Sequence, residues 1–144
     1  MVVNRQALAG LIPHSGAMCL LDEVLHMDDD SITCRAISHR NPEHPLRDEG
    51  VLPALSGIEY AAQAMAVHGA LRQSHGPRPG MLAAVRDVVL SVERLDDVLD
   101  DLVITARRLL DDSSRLLYEF EVQAGGRRLL RGRAAVVLDT GEMT

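Results

Sequence analysis

The fold turns on residues 52–73, LPALSGIEYAAQAMAVHGALRQ. Around a helix drawn through them almost every position is apolar or small: Leu52, Ala54, Leu55, Ile58, Ala61, Ala62, Met65, Ala66, Val67, Ala70 and Leu71. A helix that is apolar on all sides belongs inside a protein, not on its surface. Pro53 suits the first turn, where a missing N–H costs no bond. The run His75-Gly76-Pro77-Arg78-Pro79-Gly80 then ends it. The stretch predicts one long helix buried all round, and the rest of the chain has to supply its wrapping.

Outward from that helix the chain alternates in the manner of strands. Before it, Met18–Asp28 and Ser31–Ser38 are separated by Asp28-Asp29-Asp30-Ser31, residues that hydrogen-bond their own backbone in turns. In the second strand Ile32, Cys34, Ala36 and Ser38 share one face. After the helix come Met81–Glu93, Leu102–Leu110, Arg115–Gln123 and Arg127–Asp139, with turns at Asp96-Asp97, Asp111 to Ser114 and Gly125-Gly126. A short opening helix runs from Asn4, a plausible cap, to Ile12, where Pro13 stops it. Six strands around one helix make an α+β arrangement. Its expected form is the hotdog fold, an antiparallel sheet wrapped around a buried helix, over residues 1–144 as one domain.

Composition narrows the function. The 144 residues, 47% of them apolar, suffice for one core. A net charge of −6 and 2% aromatic content argue against nucleic acid or an anionic membrane as partner, since neither a basic face nor stacking rings are available. All 15 basic residues are arginine, which excludes Schiff-base chemistry and a phosphate loop ending in Gly-Lys. Cys19 and Cys34 have no metal-ligand spacing and read as buried thiols. No signal peptide or membrane-length apolar run is visible, so a cytoplasmic location is expected.

The buried helix carries few strongly polar residues: Ser56, Glu59, Gln63 and His68. Spacings of three and four put Ser56, Glu59 and Gln63 on one face. A carboxyl on a helix built for burial must be paired, hydrogen-bonded or protonated. Raised toward neutrality it suits general acid–base work; at a partly exposed helix start it is only a capping group. Of the six histidines, His26, His39, His68 and His75 read as structural or surface residues. His14 and His44 each neighbour a turn that can bring them to the helix start. Ser56 and Gly57 either offer backbone N–H groups to a substrate carbonyl or simply let the helix approach the sheet.

Two stretches resemble the bacterial 3-hydroxyacyl-[acyl-carrier-protein] dehydratases. Ile12-Pro13-His14-Ser15-Gly16-Ala17-Met18-Cys19-Leu20-Leu21-Asp22-Glu23-Val24 is similar, without a gap, to their opening Leu-Pro-His segment. Val51-Leu52-Pro53 through Glu59, Ala62 and Gln63 is similar to their Val-Met-Pro-Gly-x-x-x-x-Glu-x-x-Ala-Gln-Ala helix. The form Gly57-Ile58-Glu59-Tyr60 with Ala62-Gln63 looks closer to the branch found with aryl polyene and related fatty-acid-like pathways.

The resemblance implies a hotdog fold, assembly into homodimers or heteromers with a second hotdog subunit, and removal of water from (R)-3-hydroxyacyl thioesters. The substrate would ride on the phosphopantetheine of acyl carrier protein or CoA, with no metal or redox cofactor. Glu59 falls on the family's catalytic acid and Gln63 on the glutamine one turn later. The thioester oxygen would accept a backbone N–H near the start of the buried helix, where Ser56 and Gly57 lie. The family's loop histidine falls on Pro45, so His44 is the first candidate base and His14 the second. His and Glu would come from different subunits, and Arg47, Arg72 and Arg78 are candidates for carrier-protein docking. A hotdog thioesterase and a non-catalytic partner subunit are the alternatives.

Overall fold

The computed structural model describes residues 3–10, 18–72, 80–112 and 114–138. A two-residue strand β1 (Val3–Asn4) leads into helix α1 (Arg5–Ala9), then β2 (Glu23–Met27) and β3 (Ser31–Ala36). Helix α2 (Gly57–Arg72) follows a 3₁₀ turn over Ala54–Ser56. Strands β4 (Gly80–Leu90), β5 (Leu102–Asp111), β6 (Arg115–Ala124) and β7 (Arg127–Leu138) complete one antiparallel sheet in the order β1-β2-β3-β5-β6-β7-β4. The sheet has seven strands instead of the expected six, because Val3 and Asn4 pair with Val24 and Glu23.

The strand ends follow local chemistry. Asn4 caps α1, its side-chain oxygen accepting from Ala7 N–H at 3.0 Å. Asp28 folds the β2–β3 turn onto itself, accepting from the N–H groups of Asp30 and Ser31 at 2.9 and 2.8 Å. Gly125 and Gly126 sit at φ 58° and 78°, which suits the two-residue hairpin joining β6 and β7. The first strand is shorter than expected. Leu20 lies outside β2 because its N–H donates to Gln63 on α2 instead of to a neighbouring strand.

Helix α2 packs against β3, β4, β5 and β6. Tyr60, Ala61, Ala64, Val67 and His68 are buried against the sheet, beside Ile32, Cys34, Ile104, Tyr118 and Val122. The expectation of burial all round needs correction. Ile58, Glu59, Ala62, Ala66, Gly69 and Ala70 are only half-buried, and Leu55 just before them is 56% exposed. With about 100° between successive residues, these positions form one continuous stripe that the chain's own sheet leaves uncovered.

The start of α2 is tied to the segment after β4. Leu52 N–H donates to Asp96 Oδ1 at 2.9 Å, Leu95 N–H to Leu52 O at 2.8 Å, and Ala54 N–H to Glu93 O at 3.0 Å. Arg94 grips the same carboxylate, and that ion pair leads the causes holding the Asp96 carboxyl down at about 2. At Gly57 a Cβ would fall 2.5 Å from Leu130 Cδ2, so the helix meets β7 at a distance only glycine allows without a shift. No helix among the described residues is long and apolar enough to cross a membrane.

Candidate active site

Glu59 lies in the first turn of α2, where the helix dipole favours a carboxylate. It is half-buried and belongs to the uncovered stripe. Tyr60, one residue on, points about 100° away, into the buried side of the helix, and is wholly inaccessible.

His44 meets Tyr60 rather than Glu59. Its Nε2 stands 3.0 Å from the Tyr60 hydroxyl, and its Nδ1 accepts the Leu46 N–H at 3.0 Å. Because a backbone amide can only donate, Nδ1 carries no proton and Nε2 does. That fixes the direction of a chain of bonds. His44 Nε2–H donates to Tyr60, Tyr60 O–H to Ser38 Oγ at 2.7 Å, and Ser38 O–H to Leu20 O at 2.8 Å. Burial, followed by the nearby Arg47 and His39, pushes the His44 pKa down and keeps the ring neutral. With 4% exposure and both nitrogens engaged, His44 clamps the loop over residues 41–50 to α2.

Gln63, one turn after Glu59, is a second clamp. Its Nε2 donates to Met18 O at 2.6 Å and its Oε1 accepts from Leu20 N–H at 2.9 Å, so the amide serves the backbone of residues 18–20. Ser56 and Gly57 also have their N–H groups in use, toward Pro53 O and toward Ala54 and Leu55 O. The close contact of Gly57 with Leu130 is the small-residue approach anticipated for this pair. Arg47 braces its loop by donating to Gly50 O and His39 O. His14 and Arg78 lie outside the described residues, as does the side chain of Arg72.

The histidines expected to be structural divide as follows. His39 is wholly buried and its Nε2 meets Val98 O and Asp100 O at 3.1 and 3.0 Å. His68 bridges Tyr118 and Asp28 O at 2.6 and 2.9 Å. His26 is exposed, 3.5 Å from Asp28, and His75 is outside the described residues. Sequence reasoning missed Tyr60 and Ser38. The available signal was a tyrosine on an otherwise apolar helix, whose hydroxyl needs a partner once buried. Among the described residues no group of three or more His, Cys, Asp or Glu side chains is placed to hold a metal ion.

The family model for ApeP-like proteins, described as ApeP dehydratase, matches residues 6–143. The chain belongs to the ApeP-like dehydratase family. Among solved structures, this ApeP-like chain is similar to the dehydratase heterocomplex ApeI:P from Xenorhabdus doucetiae. That match has 26% identity and a TM-score of 0.82 over 92% of this chain and 91% of the other. A Haemophilus influenzae thioesterase (11% identity, 95% and 91% covered, TM-score 0.68) shares the fold alone. So does zebrafish thioesterase superfamily member 2 (15% identity, 94% and 95% covered, TM-score 0.66). The expected α+β hotdog fold is therefore the fold of this ApeP-like chain. Against the curated proteins there is no match.

Proposed function

We propose that this ApeP-like chain dehydrates (R)-3-hydroxyacyl thioesters to trans-2-enoyl thioesters as one half of a pair of hotdog subunits. The substrate is held on the phosphopantetheine of an acyl carrier protein, in fatty-acid-like or polyene synthesis. The observation that carries the reading is the position of Glu59: it lies on the half-buried stripe of α2 that the sheet leaves uncovered, on the side where a second subunit would close the site. The likeness to a heterocomplex of dehydratase subunits supports a partner with the same fold.

In the reaction, a neutral histidine takes the C2 proton and the electron pair moves toward the thioester carbonyl. The C3–O bond breaks as the Glu59 carboxylic acid gives its proton to the departing hydroxyl, which leaves as water. Covering the stripe removes water from around Glu59, and desolvation favours the protonated acid that this step needs. His44 of the same chain has both ring nitrogens engaged on the buried flank of α2, so the base is His14 or a histidine from across the subunit interface.

The test is hydration of a 2-enoyl thioester by the paired subunits, followed at the enoyl absorbance. Glu59→Gln is expected to lower the rate by about 10²-fold or more, the usual contribution of a positioned general acid. A Glu59→Gln complex that keeps the wild-type rate overturns the assignment. Thiol release from acyl-CoA without loss of enoyl absorbance would instead mark a hydrolase. His44→Ala and His14→Ala locate the base: a pair that stays assembled yet loses turnover with either would place the base on this chain.

A further inference from the structure

Strand β4 closes one end of the sheet and is 11 residues long. It pairs with β7 on one side only. Leu82, Val89 and Leu90 along it are 38%, 44% and 44% exposed, so the edge is partly apolar. At its middle the chemistry changes. Arg86 stands directly opposite Arg133 of β7, and Arg131 is the next β7 residue on that face, opposite Val89. All three arginines are exposed. Like charges placed opposite each other on neighbouring strands repel.

Two glutamates on β6 face these arginines, but each is already paired with another arginine. Glu119, opposite Arg133, is 3.5 Å from Arg107, and Glu121, opposite Arg131, pairs with Arg128 at 3.0 Å. Asp87 lines the same shallow groove as Arg131 and Arg133, from a bulge where its own φ is +57°. Among the described residues neither Asp87 nor any of the three arginines has an ion pair. Three cations against one carboxylate leave an excess of two positive charges on one edge of a chain whose net charge is −6.

We infer that, where a second hotdog subunit adds its edge strand along β4, Arg86, Arg131 and Arg133 select a partner bearing carboxylates there over a second copy of this chain. The inference rests on the paired-subunit reading above and adds to it the chemistry of the partner. A second copy brought edge to edge doubles the cationic excess at the seam, within reach of long side chains on neighbouring strands. A partner with acidic residues at those positions cancels it. The apolar residues at both ends of β4 supply contact area to either, so the arginines decide between them.

The experiment needs only this chain. Wild type and an Arg86→Glu/Arg131→Glu/Arg133→Glu variant, separately tagged, are compared alone and mixed by sedimentation velocity at 50 and 500 mM salt. The mixture is expected to pair at least tenfold more tightly than wild type with itself, with the advantage shrinking at high salt. A mixture no tighter than wild type alone overturns the inference. So does a wild-type self-pair that the substitutions leave unchanged. Circular dichroism checks that the variant folds, and Arg86→Gln/Arg133→Gln, which removes charge without reversing it, is expected to relieve self-repulsion by itself. The enoyl hydration assay is separate: loss of turnover on Glu59→Gln with no charge preference in the mixing experiment would sink the partner selection and leave the catalytic reading standing.

Discussion

A tyrosine hydroxyl sealed away from water must be hydrogen-bonded, and Tyr60 meets that need by linking His44 to Ser38. Tyr60→Phe removes the link, leaving the buried His44 Nε2–H without an acceptor and the half-buried Ser38 hydroxyl with only its bond to Leu20 O. The expected loss is about 1–3 kcal/mol of stability, read from urea denaturation, and the enoyl hydration rate of the folded enzyme is expected to hold if Glu59 carries the chemistry. The histidines give a second handle. Burial leads the causes that lower the His39 and His44 pKa values, and each ring in the fold accepts a proton less readily than in the unfolded chain. The unfolded chain takes up protons from about pH 6.5 downward, while the folded one resists until lower pH. Stability is therefore complete above about pH 6.5 and falls as pH drops toward the depressed values. A urea midpoint lower at pH 5.5 than at pH 7.5, with the difference reduced in a His44→Gln variant, is the expected result.

At the scale of elements, the clasp on α2 resolves to one carboxylate. Asp96 accepts from Leu52 N–H and binds Arg94 through a side chain 7% exposed. Asp96→Ala is expected to cost about 1–3 kcal/mol by stranding that amide. Asp96→Asn, which keeps the acceptor and loses the charge, is expected to cost less; equal losses would mean that the amide bond contributes nothing. The elements differ in how legible they are in the amino-acid sequence. The hairpin turns can be read there because residues within three positions of one another make them, as Asp112 does by accepting from Arg115 N–H at 2.7 Å. Strand β1 cannot, since two residues pair across the sheet with no local signal of their own. The lone carboxylate Glu59 stands out on its helix as a candidate site. The duties of His44 and Gln63 do not, because their partners lie 16 and 43–45 residues away in sequence and meet them only once the chain has folded. The half-exposed stripe was hidden for a related reason: periodicity reports an apolar helix without saying whether its own chain or another covers it.

For the molecule as a whole, the stripe on α2 and the β4 edge both point outward from the same chain. Ala62→Glu and Ala66→Asp place charge on the stripe at half-buried positions. They are expected to leave the lone chain's stability within about 0.5 kcal/mol while weakening its association with a partner subunit by tenfold or more. Binding measured by calorimetry, beside urea melts of the lone chain, separates the two effects, and unchanged affinity would remove α2 from the interface. Acid acts on a second set of groups. Asp96, held at about 2, and Asp101, lowered by Arg40 and Arg35, are easier to ionise in the fold than in the unfolded chain. Their contribution persists above about pH 4 and drains away as pH falls toward 2, well below the histidine window. The two ends of the sheet are also unequal, with eleven residues in β4 and only two in β1. An open strand edge is a template for further strands. A molecule with one long template and one stub has, in polymer language, a functionality of one. With the pairing inferred at β4, it couples once and is then capped, and its sheet doubles without propagating into a filament.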